Sequence, residues 1–359
     1  MKFIVSAGGQ GTKLWPYSRE NNPKQFQKIL NGESLFSYNV KTLLRKYPAA
    51  DVFISTKERY LKIAREQVPQ IPNENYIIEP DSPKNRGPAD GLAIVFLDVK
   101  CPGEPFMIVQ SDCVRIPESN YLLLVETAEK IVKEHKKFIS GGIAVTYPDL
   151  GVDYLKLGRK IHSYGSVDVY EATEYIDRPA SYAETKELIE NFNVVKHSNH
   201  NCWYPQMLLE AYARYKPDWH KALMEIRKII SETNSFDGVG NIYQTMEAGA
   251  TEIVTRHLFK DALILQLNYN WVDIGTWNSL YEYFACKDQV YKEGNVIALD
   301  SKSSLIKSDN PEKLIAVFGL KDMVVVDTAD TLLIVPKDKT DKIKDIQDEL
   351  RNKKLNKYL

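Results

Sequence analysis

The sequence predicts a doubly wound α/β domain followed by a small domain of short β-coils. Three observations predict it. Short apolar runs alternate with segments of helical period through most of the chain, and a glycine cluster closes the first run. Near Asp288 the pattern changes to β-branched segments cut by Ser, Asp, Asn, Gly and Lys.

Residues 2–6 read as a short buried strand, ended by Gly8-Gly9-Gln10-Gly11. Similar runs at 52–55, 76–78 and 106–109 are separated by helical-period segments at 35–47, 60–67 and 89–99. Strands alternating with helices of this length argue for βαβ units on a mainly parallel sheet. Further strands are expected at 138–145, 167–175 and 262–266. Residues 217–231 place Trp219, Leu223, Ile226 and Ile230 on one helical face, as a helix packed on a core requires. From Gly294 the segments 294–299, 304–307, 314–318, 323–326 and 331–335 recur with turn signals between them, the spacing of stacked β-coils or a short sandwich. A charged helix over 338–358 closes the chain. The expected division is 1–288 for the large domain and 289–359 for the small one.

Composition narrows the function classes. A chain of 359 residues suits one large domain and one small one. With 47 basic and 48 acidic residues, it has no field to gather nucleic acid or anionic lipid, so an anionic ligand needs a local site. No apolar run approaches the ~20 residues that span a bilayer. The apolar stretch at the N-terminus is too short for a signal peptide. Cys101, Cys113, Cys202 and Cys286 are scattered, which suggests neither a disulfide framework nor a zinc site and fits the cytoplasm. His197, His200 and Cys202 lack a partner cluster and read as a polar loop, not a metal site.

The strongest local signal is Ser6-Ala-Gly-Gly-Gln-Gly-Thr-Lys-Leu-Trp-Pro16, directly after the first strand. Glycines there bring backbone N–H groups close to an anion. Lys13, and Lys24 in Pro23-Lys-Gln-Phe26, add two cations for a triphosphate. The loop lacks the Gly-Lys-Ser/Thr ending of a Walker A motif, and Leu14 stands where the dinucleotide fingerprint has a third small residue. On pattern alone, a tight turn with two solvated lysines remains an equal reading.

Gly8 through Pro16, then Ser18-Arg19 and Pro23–Phe26, resemble the signature of the mannose-1-phosphate guanylyltransferases. A second match stands at Trp271-Val-Asp-Ile-Gly-Thr-Trp277. Weaker ones lie at Glu79-Pro80 with Asn85 and Pro88-Ala89, and at Ser111-Asp112. The order is that of the family, and the tail from Gly294 to Pro336 resembles its C-terminal β-structure. The resemblance spans almost the whole chain and implies a Rossmann-like nucleotidyltransferase domain with a β-helix-like C-terminal domain, in the short form without an isomerase domain.

It also implies roles. Ala7, Gly8, Gly9, Gln10, Gly11, Thr12 and Lys13 cradle the triphosphate of GTP; Glu79, Asn85 and Pro88 belong to the loop that selects guanine. Lys24 bridges the phosphates of the two substrates. Asp112 and Asp273, near the carboxyl ends of strands, bind Mg2+. Gly151, Tyr154, Asp177, Arg178, Asn201 and Glu247 face the sugar phosphate, mannose 1-phosphate in the family. Lys13, Lys24, Asp112 and Asp273 are the catalytic set. Transfer is an in-line displacement at the α-phosphorus whose nucleophile is already ionised, so positioning and charge neutralisation carry the chemistry. A homodimer through the C-terminal domain is a further expectation; nucleic-acid and membrane partners are not.

The match departs from the family in places. Lys13 replaces its usual Arg, Asp112-Cys113 its Asp-His, and Arg86-Gly87 its Thr-Ala. Leu150–Tyr154 replaces Thr-Gly-Tyr-Gly-Tyr, Asp177-Arg178-Pro179 replaces Glu-Lys-Pro, and His200–Trp203 replaces Trp-Asn-Ser-Gly, while a family aspartate aligns near Asn241 or Ile242. Two other readings therefore stay open: a nucleotidyltransferase for another sugar 1-phosphate, and a non-catalytic paralogue that binds nucleotide sugar.

Overall fold

The computed structural model describes residues 1–9, 11–267, 269–285 and 288–359, so Gln10 and Cys286 lie outside the described residues. The chain divides into two compact units. The first comprises Met1–Gly8, Val40–Gln110 and Arg115–Trp271; the second comprises Gly9–Asn39, Ser111–Val114 and Val272–Leu359.

The strands of the first three quarters are β1 (Lys2–Ser6), β2 (Val52–Lys57), β3 (Tyr76–Glu79), β4 (Phe106–Gln110), β5 (Cys113–Ile116) and β6 (Ile139–Ala144). They continue with β7 (Tyr154–Tyr164), β8 (Val167–Ile176), β9 (Val194–His197), β10 (Cys202–Trp203), β11 (Leu263–Leu267) and β12 (Asn270–Asp273). Among the described residues, the first unit carries a ten-stranded sheet ordered β11-β8-β7-β9-β6-β10-β4-β1-β2-β3. β3, β2, β1 and β4 run parallel, with Phe3 opposite both Val52 and Met107. The helices Glu58–Gln67 and Arg86–Lys100 make the return crossings. All six residues of β2 are buried, as are the three central residues of β1. Burial on both faces is why these strands read as unbroken apolar runs. Beyond β4 the sheet becomes mixed. β10 pairs antiparallel with both β4 and β6, while β11 lies parallel to β6 and antiparallel to β8. The helix Pro217–Thr233 buries Trp219, Ala222, Leu223, Ile226 and Ile230, the expected face.

In the second unit, β13 (Val290–Glu293), β15 (Ser304–Ser308), β17 (Met323–Asp327) and β18 (Leu332–Pro336) form one sheet. β14 (Val296–Leu299) and β16 (Ile315–Phe318) form another. The chain alternates between the two sheets while strands of successive turns pair in parallel, Tyr291 with Leu305 and Leu305 with Val324. That is the coil pattern of a β-helix. The early segment is built into this unit's core: Leu14, Trp15, Ile29 and Leu35 pack with Ile274, Trp277, Leu305, Val324, Leu333 and Ile343. Leu14 is fully buried, so Leu14→Ala costs roughly 2–5 kcal/mol.

The charged C-terminal helix is shorter than expected, spanning Ile343–Asn352 between the 3-10 segments Lys337–Lys342 and Asn356–Tyr358. Lys354 takes a left-handed φ of 57°, and the Leu355 amide turns back to the Leu350 carbonyl, which ends the helix. Among the described residues, no helix is long and apolar enough to cross a membrane.

Candidate active site

The second unit gathers Lys24, Asp112 and Asp273. Lys24 opens a 3-10 turn, Lys24–Phe26, anchored by buried Phe26, whose ring meets Phe36 at 5.0 Å. Asp112 stands between β4 and β5, and Asp273 ends β12. β5 and β12 form a two-stranded ladder, and the second unit takes in Ser111–Val114 and Val272–Asp273 from around it. The Lys24 ammonium lies 3.0 Å from Asp112 Oδ2 and 3.4 Å from Asp273 Oδ1, and also donates to the Ile274 carbonyl at 3.3 Å. Burial opposes the charge on Lys24, but the two carboxylates outweigh it and its pKa is raised. Burial likewise raises Asp273, opposed by Lys24 and reinforced by the charge of Asp112.

The glycine loop joins this cluster by its carbonyls. Gly11 sits in the left-handed region at φ 47° and leads into the 3-10 turn Thr12–Leu14. The Gly9 carbonyl accepts from Gln25 Nε2 at 2.8 Å, and that of Gly11 from the Lys24 amide at 3.2 Å. The Thr12 carbonyl accepts from the Trp15 amide and from Gln347 Nε2, at 3.1 and 2.9 Å. Among the described residues, no acceptor pairs with the amides of Gly9, Gly11, Thr12 and Lys13. A loop with its carbonyls held and its amides open is an anion receptor. Its two flanking motifs meet directly: the Trp277 indole donates to the Trp15 carbonyl at 2.9 Å, and the Trp15 indole to the Tyr358 carbonyl at 2.6 Å.

The remaining nucleotide candidates lie in the first unit. A Cβ on Gly8 would stand 2.4 Å from Glu79 Oε2, so only glycine lets that carboxylate lie against the strand end. Ser55 donates to Glu79 Oε1 at 3.0 Å, while burial pushes the Glu79 carboxyl up. The Ala7 amide and carbonyl are tied to the Ser55 carbonyl and the Thr56 hydroxyl. Asn85 takes φ 61° and ψ −170°, a region ordinarily left to glycine, which costs roughly 1–3 kcal/mol. Gly249 holds its flanks: the Gly87 amide donates to the Gly249 carbonyl at 2.8 Å, and the Gly249 amide to Lys84 O at 3.0 Å. Pro88 is buried in the first turn of the helix Arg86–Lys100. A Cβ at Gly87 would fall 2.3 Å from the Trp219 ring, a physical reason for glycine at that departure.

The sugar-facing candidates also fall in the first unit, each engaged by a neighbour. Asp177 pairs with Arg256. The Arg178 amide and side chain both address Asp153 Oδ1, at 3.2 and 3.4 Å. Glu247 pairs with Lys216 at 2.5 Å. Tyr154 is buried and donates to the Asp149 carbonyl at 2.8 Å, and the Gly151 amide caps the Asp149 carboxylate at 2.9 Å. Asn201 is buried, accepting from Ser140 Oγ at 3.0 Å. His197 and His200 are buried too, not part of a polar surface loop. Ser140 Oγ stands 3.0 Å from His197 Nε2, and Arg115 Nε 3.2 Å from His200 Nε2. Burial pushes the His197 pKa down to about 4, so the ring is neutral. Arg256 and Gln347 were not singled out from the sequence, because nothing local marks a partner that is distant in the chain.

Comparison with known proteins gives the class. A nucleotidyl transferase family model matches residues 2–148, and a mannose-phosphate isomerase/GMP-like β-helix model matches residues 294–350. A mannose-1-phosphate guanylyltransferase of Escherichia coli is 27% identical over 97% of this chain and 75% of its own length. Another of that name, from Salmonella muenchen, is 25% identical over 99% and 74%. A crystal structure from Thermus thermophilus, described as mannose-1-phosphate geranyltransferase, shares the fold with a TM-score of 0.84, covering 98% of this chain and 99% of that one at 22% identity. The chain is thus a sugar-1-phosphate nucleotidyltransferase in class. Within that class its sequence is similar to mannose-1-phosphate guanylyltransferases along nearly its whole length.

Proposed function

We propose that this chain transfers a guanylyl group from GTP to mannose 1-phosphate, releasing pyrophosphate and GDP-mannose. The observation that carries the reading is Lys24 shared between Asp112 and Asp273, beside a loop of open amides. An oxygen of the sugar phosphate attacks the α-phosphorus in line with the departing pyrophosphate. The amides of Gly9, Gly11, Thr12 and Lys13 receive the triphosphate, and the Lys13 ammonium adds charge. Lys24 draws the two phosphates together, which lowers the barrier by positioning. Guanine suits Glu79, because its N1–H and exocyclic amine are two donors for one carboxylate. Mannose follows the names of the relatives.

The donor set fits Mg2+. Asp112 and Asp273 keep 43% and 52% of their side chains exposed, so both can be reached by a hard cation that takes one or two carboxylates and completes its shell with water and phosphate. Bound there, the ion would neutralise charge developing on the phosphates. We further propose self-association through the C-terminal segment, supported by an exposed apolar face. Ile297 and Leu299 of β14 are exposed, and Leu299 lies in register with Phe318 of β16, itself 74% exposed. Light scattering of Phe318→Asp against the native chain checks this. A cytoplasmic location accords with Cys101, Cys113 and Cys202, which form no disulfide among the described residues.

The test is incubation with GTP, Mg2+ and each of a panel of sugar 1-phosphates, with pyrophosphate release and product mass as readouts. GDP-mannose is the expected product. The altered sugar-facing residues favour one second reading, another hexose or heptose 1-phosphate, and the same panel reveals it. No turnover with any member would overturn both.

A further inference from the structure

The C-terminal helix reaches the signature loop through one buried side chain. Gln347 is 4% exposed, and its Nε2 donates to the Thr12 carbonyl at 2.9 Å, across 335 residues of sequence. A trans peptide is planar, with its C=O and N–H pointing in opposite directions. The Thr12 carbonyl and the Lys13 amide belong to the same peptide plane. Whatever holds the carbonyl therefore aims the amide, and the Lys13 amide is one of those left without an acceptor among the described residues.

The same logic governs the neighbouring peptide, where the Lys24 amide holds the Gly11 carbonyl and so directs the Thr12 N–H. That second hold comes from within the signature itself, 13 residues on. The Thr12 carbonyl is held locally by the Trp15 amide at 3.1 Å, and a further hold on the Lys13 peptide comes from the far end of the chain. It is reinforced by the Trp15 indole on the Tyr358 carbonyl at 2.6 Å and by Arg351 on Glu20 at 3.2 Å. A loop entered through Gly11 at positive φ is conformationally loose, and fixing it before the ligand arrives removes an ordering cost from binding.

We propose that Gln347 is a positioning residue for nucleotidyl transfer: by gripping the Thr12 carbonyl it aims the Lys13 amide at the triphosphate. This rests on the loop's reading as the triphosphate receptor. Gln347→Leu keeps the bulk and removes the donor. Its KM for the nucleoside triphosphate should rise about tenfold, the worth of one well-placed hydrogen bond, while the KM for sugar phosphate stays within about twofold. Should the leucine variant fail to fold, Gln347→Glu, whose ionised carboxylate cannot donate, carries the same expectation. Melting temperature is measured in parallel. A lower melting temperature with unchanged KM for the triphosphate would reduce Gln347 to a packing residue and overturn the proposal, as would equal rises for both substrates. Asp273→Asn separates the two levels. If it is inactive while the Gln347 variants behave as wild type, only the positioning role fails. If it too is fully active, the assignment of this cluster as the catalytic centre fails with it.

Discussion

The charged groups of the two units are compensated in different ways. In the first unit the sugar-facing candidates are matched one to one inside the chain: Asp177 with Arg256, Arg178 with Asp153, Glu247 with Lys216. In the second unit one ammonium is shared by two carboxylates, and its pKa is raised although burial opposes it. A one-to-one surface pair is complete as it stands and worth little in stability, about 0–1 kcal/mol. A shared pair is complete only when further charge arrives. The difference teaches where to look for chemistry: at charges whose partners are oversubscribed.

Breaking the shared cluster should give the largest effect. Asp273→Asn is isosteric, so folding survives, and turnover should fall at least ~100-fold, roughly 2.7 kcal/mol of transition-state stabilisation. Near-normal turnover at saturating substrates and Mg2+ would remove Asp273 from the catalytic set and erase the contrast between the units.

The matched pairs come next. If Asp177 accepts from sugar hydroxyls, Asp177→Ala raises the KM for sugar phosphate about tenfold and leaves that for GTP nearly unchanged. Arg178→Ala does the same and lowers turnover as well. Loss confined to thermal stability would show that both residues serve only their internal partners.

A smaller effect is expected at Lys13. Lys13→Ala should weaken nucleotide use several-fold below saturating GTP, and Lys13→Arg should be tolerated because a guanidinium can grip two phosphate oxygens. An alanine variant equal to wild type under those conditions places Lys13 in solvent.

The smallest effect lies in the β-coils. Burial, reinforced by Asp327, pushes Asp309 up to about 6, above the usual ~3.9 of an unfolded aspartate. The folded state thus holds the proton more tightly. Asp309 favours folding fully below about pH 4, and that contribution is lost as pH rises through about 6. Asp309→Asn should flatten this part of the melting-temperature profile, by less than about 1 kcal/mol since the group is half exposed. An unchanged profile would deny the coupling to Asp327.

Much of the fold was legible because burial leaves a mark on composition. β1, β2 and β4 are apolar on both faces, and the stripe of the helix Pro217–Thr233 predicted its buried side. β7 was missed because the stretch Lys156–His162 is rich in exposed charge, although the strand pairs with β8 for most of its length. The C-terminal helix was overextended because charge pattern carries no stop signal, and Lys354 adopts a left-handed φ more usual for Gly or Asn. The site divides similarly. Gly8, Lys24 and Asp273 announce themselves in motifs, whereas the Arg256 that meets Asp177 lies 79 residues away with nothing local to name it.

The discontinuity of the second unit also sets a clock on synthesis. Thr12 leaves the ribosome 335 residues before Gln347, an interval of roughly 20–70 s at usual elongation rates. Lys24 waits 249 residues for Asp273. Through that time Leu14 and Trp15 lack most of their core, because Ile274, Trp277, Leu305, Val324, Leu333 and Ile343 are still unmade. A nascent chain therefore carries an exposed greasy segment near its start until those distant residues emerge, a natural handle for a chaperone. A product terminated before Gln347 lacks the side-chain donor that holds the Thr12 carbonyl.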